Sequence, residues 1–437
     1  MQTQNLNREF GRYVTLNIFG MIGLSCYILA DTFFIARGTG ANGLAALNIA
    51  IPAYSVMHGT GLMIGVGGAT RYSVCRAQGD GAAADRTFTH AVLLALLVSA
   101  VFLALGAFFS APLARLLGAN DAIFAMTRTY LQTLLCFGPF FVLNNVCVAF
   151  VRNDGAPGLA MFGMLFGSFA NIVLDYLFIF PCGLGIFGAA LATGASPILS
   201  MLVLSRHFKT PARGFHFRKT PVRPRLFGAI CAPGLSSLVG ELSTGFVLLL
   251  FNLVILRLAG NMGVAAYGIV ANLSIVAISI FTGIAQGTQP LLSGCYGRGE
   301  QASLGLLVRR AAVLALLIAS ALYAVVFLFA GPLAAAFNSE GSAALTALAV
   351  PGLRIYFGGL WFCGVNIIAA AFFSAVGRPV WGFLLSLMRG LIVIVPVLLT
   401  LSYLFGMTGV WAVSPVMEGV TLLFTLSLLA AYFRKAA

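Results

Sequence analysis

The chain has 437 residues, of which 60% are hydrophobic and 8% charged, and its mean hydropathy is +1.01. No ordinary soluble domain has that composition, so an all-α polytopic membrane protein is expected, with little chain left for a soluble domain. A formal charge of +14 then concerns topology and anionic lipid before nucleic acid.

A helix needs about 20 apolar residues to cross the hydrocarbon core. Twelve runs qualify, roughly 13–36, 43–72, 87–111, 122–150, 157–180, 186–206, 227–257, 262–294, 304–336, 343–373, 379–404 and 408–432. The first follows a polar stretch with Arg8 and Arg12 and ends without a small-residue cleavage pattern, so it reads as a retained span. Span 1 carries Asp31 near its end, span 5 carries Asn171 and Asp175, and span 6 carries Thr193. A basic stretch, 207–226, with Pro211, Pro221 and Pro224, joins spans 6 and 7. Glu241 follows in span 7, Arg389 in span 11 and Glu418 in span 12. Carboxylates are costly in lipid, so such residues face a wet interior or a partner.

Most of the 25 basic residues fall on one side if the amino terminus is inside, which places both termini in the cytoplasm. The eight cysteines show no CxxC or Cys/His spacing and read as packing residues, and the four histidines form no metal pattern.

Shifted by 220 positions, the sequence matches itself. Residues 40–46 face 260–266, Gly79-Asp80 faces Gly299-Glu300, Pro112 faces Pro332, and Phe137-Gly138 faces Phe357-Gly358. After a two-residue shift, Gly155 and Pro157 face Gly377 and Pro379. The expected architecture is therefore two pseudo-symmetric six-helix lobes, 1–206 and 227–437, joined by the linker 207–226. Carriers with parallel repeats hold substrate near the midplane between the lobes and rock one lobe against the other.

At about 1.5 Å per residue, Asp31 and Asp175 both lie roughly 8 Å below the outer end of their spans, and Thr193 roughly 10 Å. Asn171 precedes Asp175 by one turn and shares its face. Two carboxylates, an amide and a hydroxyl are thus expected to converge in the first lobe. Similar bookkeeping puts Glu241, Arg389 and Glu418 near the midplane, which predicts an Arg389–Glu418 ion pair with Glu241 close to it. Substrate contact by these three is the competing role. Phe137, Phe140, Phe141, Tyr356, Phe357 and Trp361 are aromatics that a cavity for flat cations would use.

Several stretches resemble the multidrug and toxic compound extrusion (MATE) family: Asp31 to Ile35, Gly40 to Ala46, Gln78-Gly79-Asp80, Gly283 to Pro290, and Tyr296-Gly297-Arg298-Gly299. The resemblance runs along essentially the whole chain and is nearest to the DinF-like prokaryotic branch. It implies that Asp31, Asn171, Asp175 and Thr193 form a cation-binding set. It also implies a secondary active efflux transporter in the inner membrane, exporting organic cations or amphiphilic drugs in exchange for H⁺ or Na⁺. Span 10 offers Asn366 where the NorM-like branch has an aspartate, and the first half of span 1 reads Thr15-Leu16-Asn17-Ile18 where many relatives have a proline. No enzyme motif, cofactor or nucleic-acid partner is implied, and a monomer is expected. The alternative within the same superfamily is a lipid-linked saccharide flippase, for which Arg354 and Arg389 are the available cavity cations.

Overall fold

The computed structural model describes residues 3–211, 213–338 and 342–436. Positions 1, 2, 212, 339–341 and 437 of the expected lobes and linker lie outside the described residues.

Among the described residues the chain is almost entirely helical, with no strand, and its longest non-helical stretch is the linker ahead of Pro224. Spans 1 and 2 form α1 (Thr3–Ala77), interrupted at Gly40 (φ 69°, ψ −164°). The hydroxyls of Tyr27 and Tyr54 lie 3.2 Å apart across that break. In one straight helix they would be about 40 Å apart, so Gly40 reverses the chain. Spans 3 to 6 are α2 (Gly81–Leu116), α3 (Phe124–Cys136) with α4 (Gly138–Asn153), α5 (Pro157–Ile179) and α6 (Gly185–Phe208). Spans 7 and 8 form α7 (Pro224–Gly297), reversed at Gly260 (φ 61°, ψ −157°), where the rings of Phe251 and Tyr267 stack at 4.9 Å. Span 9 is α8 (Gln301–Leu328) with α9 (Ala330–Phe337), and span 10 is α10 (Ala343–Tyr356), a 3₁₀ turn and α11 (Leu360–Ala375). Span 11 is α12 (Pro379–Leu387), a π turn at Met388–Ile392 and the start of α13 (Ile394–Ala436). A third reversal, at Gly406 (φ 56°), leads into span 12.

The backbone repeats as the sequence does. Gly40 and Gly260 adopt nearly the same left-handed geometry 220 positions apart, as do Gly79 and Gly299, while Gly155 and Gly377 keep the two-residue shift. Span 4 bends by 46° beside Phe137, and span 10 is broken at the matching Phe357.

Each half has its own apolar core. One is built from Ile35 through Phe215 and takes in Ile230 of span 7, the other from Phe251 through Met417. Span 1 departs from the expected partition, because Leu6 and Val14 pack into the cores of the second half.

The lobes meet through glycines that let backbones touch. A Cβ on Gly67 would lie 2.0 Å from the Ile230 carbonyl oxygen, and one on Gly234 equally close to that of Met63. Gly283 and Gly287 meet Ile18 and Val14 in the same way, and Gly297 meets Val74. These approaches lie on the linker side. Among the described residues, no inter-lobe hydrogen bond or ion pair lies nearer the Gly40 and Gly260 turns than Ser25–Ser279 (2.5 Å) and His58–Glu241.

The linker is not a free tether. Asp154 accepts hydrogen bonds from the Tyr72 hydroxyl, His207 Nε2 (2.8 Å) and the Gly214 N–H (2.8 Å). Phe215 is buried against Phe88, Phe150 and Tyr72. Further along, the N–H groups of His216, Arg218 and Arg223 donate to Asp85, Thr89 and His90 of α2.

Candidate functional site

Three helices deliver the four residues singled out in the first lobe to one buried point. Asp31, Asn171, Asp175 and Thr193 are all at least 93% buried. The carboxyl groups of Asp31 and Asp175 interact directly. In the orientation that satisfies its neighbours, the Asn171 amide donates to Asp175 Oδ2 (3.0 Å) and accepts from the Thr193 N–H (3.2 Å). Asp31 Oδ1 and Asp175 Oδ1 are buried and receive no hydrogen bond from the protein.

Such oxygens have few options. Two carboxyls in contact must share a proton or enclose a cation, since two bare negative charges repel strongly at low dielectric. The set of two carboxylates, an amide and hydroxyls is of the hard-oxygen type suited to H⁺ or Na⁺.

A fifth group was missed in the sequence. Tyr130, from α3 in span 4, is buried with its hydroxyl beside Thr193 and close to both acids. The available signal was weak: a buried tyrosine hydroxyl in an apolar span needs a polar partner, but nothing in the sequence names which.

A second string of polar groups runs from this cluster towards the other lobe. The Tyr27 hydroxyl meets that of Tyr54, the Tyr54 ring stacks on His58 at 5.4 Å, and His58 Nδ1 lies 3.5 Å from Glu241 Oε1. This corrects the placement of Glu241 beside Arg389 and Glu418. It projects instead from span 7 towards the imidazole of span 2, the facing helix of the other lobe.

The Arg389–Glu418 pair itself is present. Arg389 sits in the π turn, where the looser winding lets its guanidinium reach across to Glu418 Oε1 at 2.6 Å and both oxygens at 3.0 Å. Asn366 Nδ2 completes the cage on Glu418 Oε2 (2.7 Å), and Asn366 Oδ1 accepts from Thr425 (2.7 Å). Glu418 is thereby neutralised and saturated, which suits a structural core. For the aromatics, Phe141 and Phe357 are core residues, whereas Phe140 is exposed. Trp361 donates its indole N–H to Ser320 (3.0 Å).

The two cations proposed for a flippase cavity are placed differently. Arg389 is held by Glu418, and Arg354 lies over the Phe327 ring at 5.1 Å.

On the linker side of the site, Arg152 is buried. Its Nη1 donates to Asn17 Oδ1 (2.9 Å) and Gln286 Oε1 (2.7 Å), tying span 4 to span 1 and to span 8 of the other lobe.

The family model described as MatE matches this chain twice, over residues 17–177 and 237–399. The chain belongs to the MATE family. The two matches fall on the two halves of the repeat, and the family is one of membrane transporters. Among curated relatives, the multidrug export protein MepA of Staphylococcus saprophyticus is 26% identical over 389 residues, 88% of this chain and 85% of the relative. MepA of Staphylococcus aureus strain MRSA252 is 24% identical over 88% of this chain and 84% of its own length. The fold of this MATE protein superposes on an outward-facing multidrug resistance MATE family transporter with a TM-score of 0.90 at 24% identity, covering 98% of this chain and 97% of the other. It also superposes on a Pyrococcus furiosus transporter of the MOP superfamily, described as having a binding pocket of reverse polarity, with a TM-score of 0.88 at 24% identity over 98% and 96% of the two chains.

Proposed function

We propose that this protein exports organic cations or amphiphilic drugs across the cell membrane in exchange for H⁺ or Na⁺ by alternating access, with both termini cytoplasmic. The observation that carries the reading is the buried Asp31–Asp175 pair, whose Oδ1 atoms take no hydrogen bond from the protein while Asn171, Thr193 and Tyr130 crowd around them.

In this mechanism the coupling ion enters from the side of the Gly40 and Gly260 turns and binds between the two carboxylates. Asn171 fixes the Asp175 carboxylate, while Thr193 and Tyr130 offer neutral oxygens. Ion binding removes the repulsion between the acids and so favours a tighter packing of spans 1, 5 and 6. Cationic drug competes for the same negative charge, so ion entry and drug exit exclude one another. The names of the MepA relatives, multidrug export proteins, support the substrate class. The close backbone approaches between the lobes on the linker side support alternating access, since they seal that side of the seam.

Ethidium-loaded liposomes containing the purified protein, given pH and sodium gradients separately, test the reading. Efflux driven by either inward ion gradient and abolished by collapsing it is expected. No efflux under either gradient contradicts it.

A further inference from the structure

The basic residues of the linker side are not evenly spread. Four arginines from three parts of the chain line one open pocket of about 590 Å³: Arg71 at the end of span 2, Arg86 at the start of α2, and Arg223 and Arg225 where the linker enters span 7. Among the described residues none of their side chains forms an ion pair or hydrogen bond, and Arg71 Nε is buried without a partner. The two nearby carboxylates are engaged elsewhere. Asp80 accepts from the Ala83 N–H (2.8 Å) and Asp85 from the His216 N–H (2.8 Å).

Pro224 to Leu226 open α7, whose N-terminus has no side-chain cap and adds positive potential to the pocket, whereas the N-terminus of α2 is capped by Asp80. Four guanidiniums with no protein carboxylate paired to them give the pocket a positive potential that attracts an anion. The surroundings identify the source. The pocket opens on a membrane face of a spanning bundle, and Val222 on its rim is 57% exposed, an apolar neighbour for an acyl chain.

We propose that this pocket binds the phosphate headgroup of an anionic membrane phospholipid, joining spans 2 and 3 of the first lobe to the start of span 7. The place matters for function. Arg71 lies one turn beyond Gly67, and Arg225 one turn before Ala229 and Ile230, so the lipid sits at the mouth of the seam where Gly67 meets the Ile230 carbonyl. A bound headgroup would hold that seam shut.

Native mass spectrometry of the full-length protein tests this, with phosphatidylglycerol, cardiolipin and phosphatidylcholine offered at equal concentration. The wild type should retain the two anionic lipids and not phosphatidylcholine. The Arg71→Gln/Arg86→Gln and Arg223→Gln/Arg225→Gln double variants should each retain at least tenfold less, and Arg128→Gln, outside the pocket, should behave as wild type. Thermal unfolding in phosphatidylcholine nanodiscs verifies that each variant is folded, and the second double variant alters only the exposed entry to span 7 should the first fail to fold. Undiminished lipid retention in a folded double variant would overturn the proposal. So would equal retention of phosphatidylcholine, or displacement of the lipids by millimolar inorganic phosphate, which would assign the pocket to a soluble anion.

Discussion

Asp31 and Asp175 stand within side-chain contact in a place where water cannot easily compensate them, and that juxtaposition gives each a sharp expectation. Asp31→Asn or Asp175→Asn should leave a folded protein, because an amide keeps the volume and relieves repulsion, yet gradient-driven dye efflux should fall to the level of empty liposomes. Tyr130→Phe is gentler. It removes one hydroxyl, worth about 1.4 kcal/mol at most, so the ion concentration giving half-maximal efflux should rise up to roughly tenfold with maximal rate retained. An unchanged ion dependence would show that Tyr130 only packs. The acids were legible in the sequence because charge is conspicuous in an apolar span. Tyr130, His58 and Arg152 were not, since each is chemically ordinary until tertiary packing decides what its polar end meets.

Among the elements, the interrupted helices carry the most information. The reversals at Gly40 and Gly260 turn single long helices into pairs of spans, and the sequence displayed them as matching glycines in the repeat. The π turn at Met388–Ile392 was not legible, because it depends on the strength of the Arg389–Glu418 contact it permits. Removing one partner strands a buried charge. Glu418→Gln or Arg389→Met should therefore destabilise the protein by about 3–5 kcal/mol, seen as a lower thermal midpoint, whereas the Arg389→Met/Glu418→Met pair should recover much of the loss. A double variant as unstable as either single one would mean that the pair does more than neutralise itself. Helix contacts are equally specific. Gly234→Val drives a side chain into the Met63 backbone, so transport should be lost even where expression persists.

At the scale of the whole molecule, the two lobes are similar in backbone and different in chemistry. The first holds an open pair of acids, and the second holds a saturated ion pair. Their seam is fastened on one side by Arg152, Asn17 and Gln286. Arg152→Met should loosen that fastening, and hydrogen exchange at residues 13–18 and 283–290 should quicken. Unchanged exchange would assign the seal to glycine packing alone. The sequence repeat disclosed the duplication but not that Leu6 and Val14 pack with the opposite lobe, because a repeat reports what is shared and says nothing of what crosses between halves.

The most direct test of the central claim follows ion entry and dye exit together in one set of proteoliposomes, comparing wild type with Asp31→Asn and Asp175→Asn. Wild-type protein should admit protons or sodium in proportion to the dye expelled, and both variants should lose the two fluxes at once while unfolding at the same temperature as wild type. Coupled exchange that persists in both variants would place the coupling site somewhere other than this carboxylate pair.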